Sequence, residues 1–219
     1  MKTKHPINLH KLLTFAVVIS LMAIYQNFTL APWVYLALHG TYGIMWLIKD
    51  RLYPDAQWET EVSPALGVST FVFLISYWVA PYILISSGTQ PSAPLMAIAI
   101  STNIFGVFLH YGSDAQKYFT LKYKKGLITE GFFSRSRNPN YLGEILIYLG
   151  FALMAQHWLP LFILGLFVAL IFVPNMKKKD KSLSRYPEFA AYKERSGLLL
   201  PKLFVNESAV KNRETAEVN

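Results

Sequence analysis

The sequence predicts an all-α protein: a polytopic membrane helical bundle of about six transmembrane helices, with both termini in the cytoplasm. Three observations support this fold class. Hydrophobic residues make up 53% of the 219 residues and are gathered into long blocks, as expected for helices that cross a bilayer. All 21 Lys and Arg residues fall on one side of the predicted membrane. A polar stretch at residues 134–144 runs directly into an apolar block.

The six predicted helices follow the apolar blocks in order. Several are shorter than the ~20 residues that a perpendicular span requires. Only Gln156 and His157 separate the last two, which predicts a tight helical hairpin. The predicted helices cover residues 12–26, 33–48, 64–86, 94–111, 141–155 and 158–174.

Positive charge orients this bundle. Three Lys or Arg residues precede the first helix, two lie between the second and third, six between the fourth and fifth, and ten follow the sixth. Because positively charged loops stay in the cytoplasm, both termini and the two larger loops are predicted to be cytoplasmic. Orientation and attraction to anionic membrane lipid explain the net charge of +8, including the lysine run at 177–181. The charge therefore does not indicate nucleic acid binding.

The chain is predicted to form a single integral membrane domain over residues 1–205. Residues 1–111 would supply four helices, and residues 112–205 would form a cofactor-binding half. Residues 206–219 are polar and charged, a composition typical of disorder.

Several familiar chemistries lack the residues they need. The chain has no cysteine, which excludes thiolate metal sites, disulfides and cysteine nucleophiles. Its five histidines are scattered and form no H-E-x-x-H motif, so we predict no metal site. G-x-S-x-G, P-loop and G-x-G-x-x-G motifs are also absent. A nucleotide cofactor would therefore bind without a Rossmann fold.

Glu144 is the only Asp or Glu inside the predicted apolar helices. An ionisable group in a transmembrane segment is costly and marks a functional site by default. Pro139 suits the first turn of a helix, which would place Asn140 and Tyr141 at the cytoplasmic mouth. Asn140 and Glu144 lie four residues apart and so share a helix face. The pattern predicts a polar-ligand site that faces the cytoplasm.

Residues 110–138 mix basic residues with aromatic ones. Guanidinium and ammonium groups bind cofactor phosphates, and aromatic rings pack against adenine or nicotinamide. The same composition is typical of an interfacial amphipathic stretch with an aromatic belt. Composition alone leaves both interpretations open.

Three motifs resemble those of the steroid 5-alpha-reductase C-terminal domain proteins. G-F-F-S-R-S-R-N-P-N-Y-L-G-E at residues 131–144 is similar to the central signature of that family. Y-P-E-F-A-A-Y-K-E-R followed by L-L-P, within residues 186–201, resembles its closing motif, and H-Y-G-S-D at 110–114 is a weaker match. The resemblance covers about residues 110–204. The wider group includes sterol reductases and the isoprenylcysteine and phospholipid methyltransferases.

The resemblance implies a membrane-embedded reductase that binds NADPH in a cytoplasm-facing cavity. Such an enzyme transfers a hydride from the nicotinamide to the beta carbon of a lipid or steroid-like enone, and its partners are a lipophilic small molecule and membrane lipid. Tyr42, Tyr77 and Glu59 are candidate proton donors, each with a simpler structural explanation. Cofactor contact carries over to Asp114, Lys122, Arg137, Asn140, Tyr141, Glu144, Tyr192 and Arg195.

Two alternatives stay open. An S-adenosylmethionine-dependent methyltransferase acting on a lipid or isoprenylated substrate would share the architecture without needing phosphate-binding cations. Asn138 and the Lys178-Lys179-Asp180 run depart from the methyltransferase pattern, whereas His110 replaces the Asn usual in the reductases. A scaffold or transporter would need Glu144 as a translocation carboxylate, yet no paired charge occurs in the predicted helices.

The charge distribution makes the topology testable. Reporter fusions after Gln90 and His157 should report the non-cytoplasmic side, and fusions after Gln57 and Asn219 the cytoplasm. A cytoplasmic signal from the Gln90 fusion would contradict the six-helix topology.

Overall fold

The computed structural model describes residues 1–204, and this part of the chain is helical and contains no β-strand. The all-α prediction is therefore confirmed, whereas the predicted disordered tail at 206–219 lies outside the described residues. The helices are α1 (Lys4–Ile24), α2 (Leu30–Leu52), α3 (Pro64–Leu74), α4 (Val79–Ser86), α5 (Ala93–Tyr123), α6 (Pro139–Ala155), α7 (Trp158–Phe167), α8 (Val173–Leu183) and α9 (Phe189–Arg195).

Four helical stretches in the described chain are long and apolar enough to cross a membrane. Helix α6 is also apolar but shorter. These helices give the chain the character of a multi-pass membrane protein. The count of six spans and the cytoplasmic orientation stay predictions. The four stretches are Lys4–Ile24, Pro64–Ser86, Ala93–Tyr123 and Trp158–Leu183.

Three helical stretches extend well beyond their predicted limits, and one of them, Trp158–Leu183, ends nine residues past the predicted 174. Helix α1 begins at Lys4 instead of residue 12, which brings Lys11 inside the helix. Helix α5 continues to Tyr123 instead of ending at 111. Hydropathy detects only the apolar part of a helix, whereas backbone hydrogen bonding continues through polar residues that favour helix, such as Gln116 and Lys117.

Two predicted helices are interrupted. The predicted helix at 64–86 comprises α3, a 3₁₀ turn at Ile75–Trp78, and α4. The predicted helix at 158–174 comprises α7, a π-helical turn at Val168–Phe172 and the first two residues of α8, which continues to Leu183. Such irregular turns re-aim side chains within otherwise continuous helices.

The predicted helical hairpin is confirmed. Helix α6 ends at Ala155 and α7 begins at Trp158. Gln156 takes a left-handed backbone conformation with φ 48°. The Leu159 N–H donates to His157 Nδ1 at 3.1 Å, which satisfies one of the free donors at the start of α7.

Contacts group the chain into two compact units, and the first comprises Met1–Val107 and Leu146–Gly165. Within it, α1 packs against α2, α3 and α4. A Cβ atom at Gly43 would lie 2.6 Å from the Lys11 carbonyl oxygen. The close approach of α1 and α2 therefore requires a glycine at this position.

The second unit comprises Phe108–Ile145 and, among the described residues, 166–204. It contains all three motifs that carry the family resemblance. The grouping differs from the predicted halves at 1–111 and 112–205, because residues 146–165 pack within the first unit. In a helical bundle, a segment packs against the helices that are near it in space, and these need not be its neighbours in the sequence.

The amino terminus is fastened to the segment that follows α2. The Thr3 N–H donates to the Thr60 carbonyl at 3.0 Å. Lys2 Nζ lies 2.7 Å from the Glu59 carboxylate, and Lys4 pairs with the same carboxylate. Hydrogen bonds from Lys2 and then Lys4 lower the pKa of Glu59 to about 2.

This clamp has a defined pH dependence. Because the folded-state pKa of Glu59 lies below its ordinary value of 4.5, the clamp stabilises the folded state above that value and is lost as pH falls through about 2. A carboxyl-¹³C titration should place Glu59 near pH 2 in the wild type. In the Lys2→Met, Lys4→Met double variant the midpoint should rise towards the ordinary value. An unchanged midpoint would mean that these lysines do not set the pKa.

Candidate functional site

Arg137 is the most densely bonded side chain of the central motif. It is only 5% exposed. Its Nε donates to both Asp180 carboxylate oxygens at 3.0 and 3.1 Å, and Nη2 lies 3.0 Å from Asp180 Oδ2. Its Nη1 donates to the Ser196 carbonyl at 2.5 Å. One guanidinium thus joins the central motif to α8 and to the end of α9.

The backbone of the central motif pairs with the closing motif. The Arg137 N–H donates to the Gly197 carbonyl at 2.9 Å, while the Gly197 and Lys202 N–H groups both donate to the Arg135 carbonyl at 2.9 Å. Motifs separated by about sixty positions in the sequence are therefore hydrogen-bonded neighbours in the second unit.

Polar side chains reinforce this pairing. Ser136 Oγ donates to the Leu199 carbonyl at 2.7 Å, and Asn138 Nδ2 donates to the Leu198 carbonyl at 2.8 Å. From α8, Lys179 Nζ donates to Asn138 Oδ1 at 3.1 Å. Asn138, which departs from the methyltransferase pattern, thus has a structural role in this unit.

Tyr192 closes the same cluster from α9. It is 2% exposed, and its hydroxyl donates to the Phe133 carbonyl at 2.7 Å. Burial raises the pKa of Tyr192 to about 12, so the hydroxyl keeps its proton and remains a donor at neutral pH.

Asn140 and Glu144 occupy the first two turns of α6. The helix begins at Pro139, two residues before the predicted 141, and Pro139 lies in its first turn as predicted. The Asn140 carbonyl accepts a hydrogen bond from His110 Nδ1 at 3.0 Å, which places a proton on that nitrogen. Asn140 Oδ1 is buried and has no hydrogen-bond partner among residues 1–204. Within the same residues, the half-buried Glu144 carboxylate makes no ion pair. Among the described residues, one face of α6 thus carries an amide oxygen without a hydrogen-bond partner and a carboxylate without an ion pair.

An open groove of about 430 Å³ lies on the second unit beside Arg137. Asp180 engages the Arg137 guanidinium, but three exposed lysines, Lys177, Lys181 and Lys193, add positive charge. Such a groove attracts phosphate-bearing ligands. Its other lining residues are Asp180, Ser184, Phe189 and Leu198.

Two further predicted residues lie on α5. Asp114 is 5% exposed, and Lys117 Nζ lies 4.0 Å from its Oδ1. Lys122 is exposed near the end of the helix, with Nζ 5.8 Å from the Tyr123 ring centroid. Asp114 therefore belongs to the interior, whereas Lys122 is on the surface.

The remaining predicted residues are Tyr141 and Arg195. The Tyr141 ring packs against Phe172, with centroids 5.0 Å apart. Arg195 is half-buried at the end of α9. The second unit thus contains all eight predicted site residues. Several of them, including Asp114, Arg137, Tyr141 and Tyr192, contact other residues of the protein. Their contact with a cofactor stays a prediction.

The three candidate proton donors lie in the first unit, where each contacts other side chains of the protein. Tyr77 stacks on Tyr148, with centroids 3.9 Å apart. The Tyr42 ring faces the Lys11 ammonium at 4.2 Å. Glu59 belongs to the amino-terminal clamp. Among residues 1–204, no group of three or more His, Asp or Glu side chains could hold a metal ion.

Sequence reasoning missed two features. Asp180 is the only acid in the basic run 177–181, and this could have indicated a specific partner within what was interpreted as orientation charge. Lys11 was assigned to the amino-terminal tail, yet it is 4% exposed inside α1. Extending the helix prediction through its polar first turns would have identified it.

Comparison with known proteins gives the family. Residues 13–196 match the family described as "Protein of unknown function (DUF1295)". The chain therefore belongs to the DUF1295 family, with the fold of a helical, multi-pass membrane protein.

Two curated relatives share shorter regions. An uncharacterized protein of Schizosaccharomyces pombe is 36% identical over 63 residues, which is 26% of this chain and 23% of the relative. The cobalt-zinc-cadmium resistance protein CzcN of Cupriavidus metallidurans is 31% identical over 87 residues, 39% of this chain and 40% of the relative. The matches cover less than half of either relative.

The Arg137–Asp180 pair should dominate the stability of the second unit. Replacing Asp180 by Asn leaves a buried guanidinium without its counter-charge, which we expect to cost about 3 kcal/mol. Unfolding in mixed micelles would measure the loss. Lys178→Ala, at an exposed position of the same helix, should change stability by less than ~0.5 kcal/mol. Wild-type stability of Asp180→Asn would contradict the assigned role.

Proposed function

We propose that the protein is a membrane-embedded, NADPH-dependent reductase of a carbon–carbon double bond in a lipid or steroid-like enone. The observation that carries this proposal is the cationic groove beside Arg137. The resemblance of residues 131–144 to the steroid 5-alpha-reductase signature supports the same reaction class. We infer that the cofactor site faces the cytoplasm, as the charge distribution predicts.

The groove suits the phosphates of NADPH. Lys177, Lys181 and Lys193 are exposed and line the groove, so their ammonium groups can reach a ligand. Arg137 contributes charge from its buried position, and Asp180 offsets part of it. S-adenosylmethionine carries no phosphate and a positive sulfonium, so it gains little from three lysines.

The first turns of α6 suit a ligand that donates hydrogen bonds. Asn140 Oδ1 is a buried acceptor that lacks a partner among the described residues, and Glu144 offers a carboxylate on the same helix face. A carboxamide N–H₂ or a ribose hydroxyl would satisfy both. Leaving a buried acceptor unsatisfied costs about 1–3 kcal/mol, and bound cofactor would remove that cost.

In the proposed reaction, the cofactor and the protein side chains have different roles. When bound, NADPH would supply a hydride to the beta carbon of the substrate. A proton from solvent would add to the alpha carbon, and the products would be the saturated carbonyl compound and NADP⁺. The lysines bind and neutralise the phosphates, while Asn140 and Glu144 orient the cofactor. Apolar helices keep the lipophilic substrate in contact with the bilayer.

A methyltransferase using S-adenosylmethionine is the second candidate. Tyr141, beside Phe172, presents an aromatic surface within one turn of Glu144. Aromatic rings and carboxylates are the groups that stabilise a sulfonium. This candidate leaves the cationic groove unexplained.

Cofactor titration tests the proposal. Purified protein in nanodiscs is titrated with NADPH and with S-adenosylmethionine. We expect saturable NADPH binding that weakens at high salt. The Lys177→Ala, Lys181→Ala, Lys193→Ala variant should bind NADPH about tenfold or more weakly, because it loses charge-assisted contacts.

The control replaces Lys124, Lys125 and Lys178 by Ala, which removes three exposed lysines outside the groove. It should bind NADPH as the wild type does. Equal losses in both triple variants would show that only overall charge matters. Tight S-adenosylmethionine binding without NADPH binding would overturn the reductase proposal.

A further inference from the structure

Lys11 is a buried lysine inside a candidate membrane span of the first unit. It lies in α1, within Lys4–Ile24, and is 4% exposed. An ammonium group in such a place is costly, and in membrane proteins it marks a functional position by default. Neither the family resemblance nor the proposed cofactor site gives Lys11 a role.

Aromatic side chains surround the Lys11 ammonium. Nζ lies 4.2 Å from the ring centroid of Tyr42, 5.2 Å from that of Tyr148 and 5.3 Å from that of Trp46. It also donates to the Tyr148 hydroxyl oxygen at 2.7 Å. Cation–π attraction and this hydrogen bond replace part of the lost hydration, so the charge can persist away from water.

His39 belongs to the same cluster. It is fully buried, and its ring centroid lies 6.3 Å from that of Tyr148 and 6.4 Å from that of Tyr42. His39 Nδ1 lies 3.0 Å from the Tyr35 hydroxyl. His39 Nε2 is buried and has no hydrogen-bond partner among residues 1–204. If the Tyr35 hydroxyl donates to Nδ1, the neutral ring carries its proton on Nε2 as a donor.

We propose that Lys11, His39 and Tyr148 form a binding site for the carbonyl oxygen of a lipophilic ligand. All three can donate hydrogen bonds, and a carbonyl oxygen accepts two. A carboxylate would add a second buried ion, whose desolvation costs several kcal/mol. The enone as ligand class rests on the proposed function, whereas the site itself rests on these side chains.

The apolar part of the ligand needs room beside this cluster. A cavity of about 20 Å³ touches Tyr77, Tyr148 and Phe151, and its wall on α7 consists of Pro160, Ile163 and Leu164. This volume holds one small group. A steroid-sized body therefore requires α7 to shift from Tyr148.

Matched lipid probes test the site. Tritiated 4-cholesten-3-one and its hydrocarbon counterpart 4-cholestene differ only in the carbonyl. Their binding to protein in nanodiscs is measured for the wild type, Lys11→Met and Tyr148→Phe. We expect the wild type to bind the ketone at least tenfold more tightly than the hydrocarbon. Each variant should lose that preference and keep its hydrocarbon affinity.

The controls are Lys125→Met and Tyr82→Phe, both at exposed positions, and they should keep the preference. Tyr148→Phe conserves the ring packing, so it remains informative if Lys11→Met does not fold. A wild type that binds neither probe, or binds both equally, overturns the inference. So does a Tyr148→Phe variant with wild-type preference. Oleate that competes more tightly than the ketone would assign the site to carboxylates instead.

NADPH binding, measured on the same preparations, separates this inference from the proposed function. Carbonyl preference without NADPH binding would overturn the reductase proposal and leave the oxygen site standing. NADPH binding without carbonyl preference would overturn the oxygen site and leave the reductase proposal standing.

Discussion

The buried pair of Arg137 and Asp180 is the interaction on which the second unit depends. It links the central motif to α8, while the Ser196 carbonyl bonded to the same guanidinium fixes the end of α9. A buried charge is tolerated only when its partners are held in place. The start of α6, directly after Arg137, is fixed by the same contacts. Asn140 and Glu144 lie in the first two turns of that helix.

The polar side chains of the second unit fall into two groups with different roles. Arg137, Asn138, Lys179 and Tyr192 bond to other parts of the protein and hold the motifs together. The Asn140 amide oxygen, Glu144 and the groove lysines are the groups that we propose to contact a ligand. Some residues that match the family's cofactor contacts, such as Arg137 and Tyr192, therefore hold the protein together. Only the hydrogen-bond partners in the structure distinguish this structural role from ligand binding.

The sequence patterns predicted the positions of the helices more accurately than the residues at which the helices begin and end. The hairpin at Gln156 and the start of α6 at Pro139 follow from local rules of helix punctuation. The hydropathy pattern did not predict the true start of α1 or the true end of α5, because helical hydrogen bonding continues beyond the apolar side chains. Lys11 was misplaced for that reason, and with it the polar cluster of the first unit.

The sequence by itself determined the helical class, the membrane character, the family motifs and the Asn140–Glu144 helix face, because these depend on composition and short-range spacing. Only the tertiary structure decided that Asp180 pairs with Arg137, that residues 135–138 bond to 197–202, and that Lys11 meets Tyr148. These contacts join residues between about forty and 140 positions apart. No local pattern specifies such partners, since the packing of whole helices brings them together.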